Sequence, residues 1–372
     1  MTQSNFSPHN PTLQIAWDAT SFQNLGFCPR YYQLTNIEGW RGSSIDLEFG
    51  TFAASSFELY QKTRLRGATK DEAALVVLRW LLHATWTEAG PWGGRYENMW
   101  HCTGVDAQGE PVKYKNRKGN AAKCPYSHKG KWFPDDAPDV CGECGAETET
   151  VKQYLPEHPA KNRETLVRTV LWYIEDQPDE LDDGLRPIML DEETPAVELS
   201  FKLPLPWTSP FGETYIICGH LDNISAFGEE NFVVDNKTTT KALNSAFFAS
   251  YAPHFQVDTY DLVSSMMFPS LDIRGVILDG AQTLVGGSKF GRGVYYKSEA
   301  LRQEHLDTLH YWIGQAEFLA KNYGQDRDWP MNKRNCWICP FKGICSKDPS
   351  ERERYLKEHF TKSEPWNPLE ER

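Results

Sequence analysis

The stretch from Glu213 to Lys241 limits what this chain can fold into more than any other. Its first half, ETYIICGHLD, reads as a strand that ends on a carboxylate, Asp222. A short polar turn through Gly228 follows, and a second apolar run, FVVDNK, delivers Asp235 and Lys237. Side chains two apart in a strand share a face, so Asp235 and Lys237 project together while Asn236 points the other way. Pairing of the two runs as a hairpin brings Asp222 close to Asp235. Two carboxylates at close range need a cation between them, and hard oxygen ligands suit Mg²⁺ or Mn²⁺. A lysine beside such a cation can orient an attacking water or stabilise charge growing on a phosphate. Taken alone, D-x-K is common on solvated strand edges. Its neighbours give it weight.

The pattern G-x-x-D, then V-V-D-x-K-T with twelve residues between the two aspartates, resembles the core of the PD-(D/E)xK nucleases, in their RecB-like branch. Eighteen residues separate Lys237 from Gln256-x-x-x-Tyr260, which is similar to that branch's Q-x-x-x-Y helix. The i, i+4 spacing sets both side chains on one helix face. Glu198, in VELSF, stands where the family often has an acidic residue on the preceding strand. The resemblance implies a restriction-endonuclease-like α/β core, αβββαβ about a mixed sheet, with N-terminal helices. It implies that Asp222 and Asp235 hold Mg²⁺ or Mn²⁺, helped by the Asn236 carbonyl and Glu198. Lys237 would then position the attacking water, and Gln256 and Tyr260 would orient substrate or Lys237. One feature departs from the family. Its G-T-x-x-H helix reads Gly50-Thr51-Phe52-Ala53-Ala54 here, without the histidine, so the cation has one ligand fewer.

The remaining elements follow from periodicity. Residues 1 to about 14 read as a loose tail, and a helix begins near Ser21. LEFGTFAASSFELYQKT reads as a second helix on the nuclease core, and DEAALVVLRWLLHATW as a buried one, with His83 a core or boundary residue. Ala160 to Gln177 reads as amphipathic, with Leu166, Val170, Trp172 and Ile174 on its apolar side. Strands VELSFKLPL, ETYIICGHLD and FVVDNK precede a helix after Pro253, a fourth strand IRGVILDGAQTL, and a long helix from Glu299 to about Lys321. His220 alternates with Asp222, and Cys218 reads as a buried thiol. The expected parts are residues 15–90 (helical), 91–151 (an insertion), 152–348 (nuclease core and clasp) and 349–372 (a tail).

Nine cysteines meet no basic-then-apolar leader in MTQSNFSPHNPTLQIAWD, which points to a reducing, cytoplasmic setting and to metal ligation rather than disulfides. No apolar run approaches the ~18 residues of a membrane span. The insertion holds Cys124-Pro-Tyr-Ser-His128 and, twelve residues on, Cys141-Gly-Glu-Cys144-Gly. The C-x-x-C-G turn is a zinc knuckle in form, and Cys124, His128, Cys141 and Cys144 make a four-ligand Zn²⁺ set. Cys102, or His101 beside it, is the alternative for the less certain member. Seven basic residues and no acidic ones lie from Lys113 to Lys131, interleaved with Tyr114 and Tyr126 and followed by Trp132. On a chain of net charge −12, that run is the natural nucleic-acid contact.

At the other end, Cys336-x-x-Cys339-x5-Cys345 offers three thiols, and Cys28, in FCPRYY, is the candidate fourth. This arrangement resembles the iron–sulfur clasp of CRISPR-adaptation RecB-like exonucleases and AddB-type helicase–nucleases. Spacing alone accepts zinc or a [4Fe–4S] cluster, and the resemblance favours iron. The resemblance spans Ser21 to Tyr60 loosely and about Pro195 to Cys345 well, and does not cover the insertion. It implies a phage or prokaryotic exonuclease acting on DNA, single-stranded or at duplex ends, in recombination, repair or end processing. Recombination or replication proteins are its expected partners. The alternatives are a non-catalytic nucleic-acid binder that keeps the fold, and a redox switch built on the cluster.

Overall fold

The computed structural model describes residues 5–42, 45–86, 94–127, 133–134, 137–179, 184–363 and 369. The chain folds into two compact units, Met1–His83 with Thr165–Arg372, and Ala84–Glu164. Among the described residues no helix is long and apolar enough to cross a membrane.

The first unit is built on a mixed sheet. Its main strands are β1 (Val197–Thr208), β2 (Thr214–Phe227), β3 (Glu230–Thr239), β4 (Ile273–Leu284) and β5 (Gly287–Tyr296). β1 and β2 are antiparallel, with Leu199 opposite Leu221, and β2 and β3 form a tight hairpin closed at Phe227 opposite Glu230. Gly228 takes φ 64° in that two-residue turn, a conformation that a side chain would strain. β3 and β4 run parallel, Asp235 beside Leu278, which requires a crossover. Residues Ser245–Ala249 and a helix at Phe255–Met267 supply it. β5 returns antiparallel to β4.

Six helices of eight or more residues surround this frame up to residue 322: α1 (Ala19–Phe27), α2 (Ile45–Leu65), α3 (Lys70–Ala84), α4 (Arg163–Asp176), α5 (Phe255–Met267) and α6 (Glu299–Asn322). The mixed α/β order βββαβ expected from the sequence is the one observed, with β5 added. β3 is buried on both faces over Phe232–Asp235, as befits a central strand covered on two sides. One face packs Ile217, Leu221 and Val233 against Phe22 and Leu25 of α1, Val257 and Val263 of α5, and Leu309 and Ile313 of α6. The α6 residues His305, Leu309, Ile313, Ala316 and Ala320 form the i, i+4 stripe that places it there.

Four local expectations change. Residues 5–14 are not a loose tail: Leu13 and Gln14 are buried, Gln14 accepts from Tyr32 Oη at 2.7 Å, and Ala16–Trp17 pairs parallel to β2. The segment is anchored through polar groups, which hydropathy does not register. α3 is only partly buried, through Ala73, Val77 and Leu81; Leu75, Val76 and His83 are exposed. Trp172 is exposed and lies under Arg168 instead of joining the buried side of α4. Strand β5 was not expected at all, because its glycines and short run of apolar residues give little alternation.

The second unit is a β-arm. Gly94–Cys102 pairs antiparallel with Thr148–Pro156 along nine residues, and Phe133–Pro134 adds a short third strand. A nine-residue pair was not expected in a segment without apolar periodicity. Its register brings Cys102 to one end of the arm, opposite Thr148. Trp100, Tyr126 and Phe133 cluster together with ring centroids 4.9–5.5 Å apart, Trp100 stacked on Tyr126 and Phe133 tilted against both.

Candidate active site and cysteine centres

The β2–β3 hairpin sets Asn223 opposite Val234, so the next pair along is Asp222 and Asp235. Asp235 is almost wholly buried. Lys237, two residues on, turns to the same face and approaches both its oxygens, at 2.9 Å for Oδ1 and 2.7 Å for Oδ2. The contact to Oδ2 lacks hydrogen-bond direction, and Oδ2 accepts no hydrogen bond. Asp222 Oδ2 accepts from the Asn236 backbone N–H at 2.8 Å, which fixes that carboxylate against β3. The α5 helix lowers Gln256 onto the pair: its amide nitrogen donates to Asp235 Oδ1 at 3.1 Å and to Tyr260 Oη at 2.9 Å. Asp222, Asp235, Lys237, Gln256 and Tyr260 therefore form one constellation.

The β1–β2 ladder stops at Leu199 opposite Leu221, one step short of Glu198 and Asp222. Glu198 adopts φ 54°, one of two described non-glycine residues in the left-handed region, the other being Asp272. Such a conformation costs on the order of 1–3 kcal/mol and concentrates at sites where a side chain must be aimed. Its carboxylate is near enough to raise the Asp222 pKa further.

Electrostatics describe a site short of positive charge. Burial, then Asp235, pushes the Asp222 carboxyl up to about 7, against the opposing pull of Lys237. Burial works against the charge of Lys237, but Asp235 and Asp222 outweigh it and hold the ammonium above its ordinary value. Burial, then the same two carboxylates, keeps the Tyr260 phenol well above its own. A buried carboxylate oxygen without a hydrogen bond, facing a second carboxylate that cannot comfortably ionise, is a donor set that fits a divalent cation.

Two residues here escaped the sequence reading. Tyr251 feels both Lys237 and Asp235, and its ring lies 4.9 Å from that of His254. His254 caps α5 by accepting from the Gln256 N–H at 3.3 Å, and its Nε2 sits 3.3 Å from the Gln23 side-chain nitrogen. Burial, then Lys237, holds His254 below its ordinary pKa. The signal available was position: a polar residue just before a helix that carries a site residue in its first turn. His220 bonds Ser200 at 2.9 Å, and Cys218 is buried with its thiol toward the Trp17 carbonyl. α2 passes β3 at Gly50, where an added Cβ would lie 3.5 Å from Thr238 Oγ1.

In the β-arm, Cys102, Cys124, Cys141 and Cys144 have sulfurs all within 4.8 Å of one another. The Cys102–Cys144 and Cys124–Cys141 pairs stand 3.4 and 3.7 Å apart. Zn–S bonds of ~2.3 Å in a tetrahedron place sulfurs ~3.8 Å apart, so this set fits one ion. Burial works against a thiolate at Cys141, but the Glu143 and Cys144 N–H groups donate to it and lower its pKa. Burial raises Cys124 to about 11. Cys102, weighed as an alternative, thus stands with the three other thiols. His128, Lys129, Lys131 and Trp132 lie outside the described residues. Lys113, Lys115, Arg117, Lys118 and Lys123 are exposed.

Cys28, Cys336, Cys339 and Cys345 line one pocket, with Tyr31, Asn332 and Phe341. The Asn332 N–H donates to Cys28 Sγ at 3.2 Å across 304 positions of sequence. Burial raises the Cys345 thiol, while Arg30 and Arg352 pull it down. Amide and guanidinium groups turned toward thiols suit a bound anionic thiolate centre.

Comparison with curated proteins finds no match for this sequence. A solved protein described as "Crystal structure of SSO0001" is similar at 15% identity and a TM-score of 0.22, over 40% of this chain and 59% of that one. The chain thus spans under two thirds of that protein's length. The pattern of one family matches residues 135–346, more than half of the chain, including the β2–β3 hairpin, α5 and the C-terminal cysteines. By that match the chain belongs to the PD-(D/E)XK nuclease superfamily.

Proposed function

We propose that this protein is a Mg²⁺- or Mn²⁺-dependent DNA nuclease, with exonucleolytic action on single strands or duplex ends. The observation that carries this reading is the facing pair Asp222 and Asp235 with Lys237 locked to the second carboxylate. Asp222 and Asp235 would hold the cation, with the Asn236 carbonyl and Glu198 adjacent. A divalent cation bound there supplies a Lewis acid for the phosphate and lowers the pKa of its water. Lys237 offers N–H donors to the attacking water and to charge building on a phosphate oxygen. Gln256 holds Asp235 and Tyr260 together, so the lysine meets a fixed carboxylate rather than a mobile one. Zn²⁺ is the ion proposed for the arm's four thiols, and the exposed lysines and arginine beside them for phosphate contact. A [4Fe–4S] cluster is proposed for the other four. Support comes from the four thiols lining one pocket, with the Asn332 N–H donating to Cys28 Sγ, together with the resemblance of their spacing to an iron–sulfur clasp. Phage or prokaryotic recombination, repair or end processing is the proposed setting, in the cytoplasm.

Digestion of end-labelled single- and double-stranded DNA with and without Mn²⁺ tests the proposal. Asp235→Asn should lower cleavage about 10³-fold or more while DNA retention persists, and Lys237→Ala about 10²- to 10³-fold. Wild-type rates from Lys237→Ala would reject this site. DNA binding without cleavage under any divalent ion would favour a non-catalytic binder, the reading to which Ala54 in place of the family histidine lends weight.

A further inference from the structure

The loop that carries the clasp cysteines has an outer side that the clasp does not use. Cys336 and Cys339 line the pocket, and the two residues between them point away: Trp337 is 78% exposed and Ile338 54%. Trp337 is the most exposed large apolar side chain among the described residues. An indole so placed adds little to packing, and with Ile338 beside it forms a small apolar surface open to association. Its surroundings limit what could associate. From Trp329 to Lys347 the sequence holds four basic residues and no acidic one, on a chain of net charge −12. Lys333, Arg334 and Lys342 are all exposed. Aromatic surface among cations on an otherwise acidic body matches a polyanion with stackable faces.

The tip is also held firmly. Asn332 and Asn335 both donate their side-chain amides to the Phe27 carbonyl, at 3.1 and 2.6 Å, at the last residue of α1. Gln23 of the same helix reaches His254 at the rim of the carboxylate site. From Gln23 to Phe27 the helix rises about 6 Å. One short, rigid element thus fixes the tip relative to Lys237.

We propose that the Trp337–Ile338 tip, flanked by Lys333, Arg334 and Lys342, is a contact for single-stranded nucleic acid, with Trp337 stacking on an unpaired base and the cations meeting phosphates. The proposal rests on the nuclease reading for its substrate class, but it concerns binding and can fail separately. In the full-length Asp235→Asn protein, which leaves DNA intact, binding of a fluorescent oligothymidine is followed by anisotropy across a salt series. Trp337→Ala should weaken binding about tenfold and Trp337→Phe by no more than about threefold, since either ring can stack. Lys333→Gln with Arg334→Gln should make the salt slope shallower by about one to two. Thermal midpoints of these variants should match the parent. Unchanged oligothymidine binding by Trp337→Ala overturns the proposal and leaves the tip as a protein contact. Equal losses from the alanine and phenylalanine variants, or a lowered midpoint, overturn it in favour of a structural role. Trp337-dependent binding alongside a wild-type protein that cleaves no DNA would keep the tip and reject the nuclease reading.

Discussion

The protein has two four-cysteine sites, and they stand in opposite relation to the apolar residues around them. In the arm, the cluster's buried residues among those described are Cys102, Cys124, Cys141 and Ala146, with Val112, Tyr114, Tyr126 and Cys144 partly buried beside them. At the clasp, Leu34, Trp40, Phe341, Ile344 and Leu356 form a small core of their own, against which Cys339 and Cys345 pack. The clasp is tied further by Asp328, which pairs with both Arg30 and Arg352, by Trp329 N–H donating to Gln33 at 2.8 Å, and by Thr361–Lys362 pairing with Trp40–Arg41. Equal numbers of thiols therefore do not mean equal dependence on metal. Where neighbours are few, the ion has to supply the stability that a core would. Where they are many, an ion would add to a joint that already exists.

The largest effect should accordingly fall on the arm. Replacing Cys141 and Cys144 by Ser should release one zinc and make residues near 102–147 sensitive to protease, while the first unit keeps its own unfolding transition. DNA binding should weaken, with a shallower salt slope, as Lys113, Lys115, Arg117, Lys118 and Lys123 lose their common scaffold. Cleavage at saturating DNA should persist, because none of these residues belongs to the carboxylate constellation. Metal analysis, limited proteolysis and a salt titration read the three outcomes. Retained zinc and protease resistance would rule out the ligand set.

A smaller loss is expected at the clasp. Anaerobically purified protein should be brown and contain iron and acid-labile sulfide in comparable amounts. Cys345→Ala should bleach it and lower the thermal midpoint by a few degrees, not unfold it, because the apolar core and the Arg30–Asp328–Arg352 pairs remain. Colourless wild-type protein with zinc at these thiols would sharpen the comparison by making both sites single-ion sites. A global collapse of Cys345→Ala would break it, since the core would then count for little.

What could be seen in the sequence follows the same division. The hairpin, the crossover helix and strand β4 were legible because apolar alternation and i, i+4 spacing report burial directly, and IRGVILDGAQTL spans β4 residue for residue. Asp235 and Lys237 on one strand face, and Gln256 and Tyr260 on one helix face, needed only the strand and helix periods, while bringing that helix over the carboxylates rested on the resemblance. Less legible was anything held by polar groups or by long-range register. Gln14 is buried through hydrogen bonds, so its segment resembled a tail. Cys102 joins Cys144 because Gly94–Cys102 pairs with Thr148–Pro156, a pairing that no local pattern announces. Only likeness points to Glu198, and no local pattern announces its left-handed backbone.

The carboxylate site supplies the smallest and most conditional effect on stability, and removing one of its carboxylates should not destabilise the metal-free protein as removing the arm's thiols should. On the proposed function, the arm would need its metal to fold, whereas the carboxylate site carries a repulsion that a bound cation would relieve. Burial and then Asp235 push Asp222 up to about 7, from an ordinary value of 3.8. Between those two pH values the folded chain holds a proton that the unfolded chain has released, so this group's contribution to stability falls as pH rises through the window. A divalent ion binds the deprotonated pair and so competes with that proton. Mn²⁺ should therefore raise the thermal midpoint by a few degrees at about pH 8 and hardly at all at about pH 5.5. Asp222→Asn should abolish the Mn²⁺ shift, and without metal at about pH 8 it should be at least as stable as wild type, because it no longer sets a second negative charge beside Asp235. Thermal scans at the two pH values, with and without Mn²⁺, decide the matter. An equal Mn²⁺ shift at both would place the proton elsewhere, and a destabilised Asp222→Asn would mean that the Asn236 N–H, which donates to Asp222 Oδ2 at 2.8 Å, outweighs the repulsion between the carboxylates.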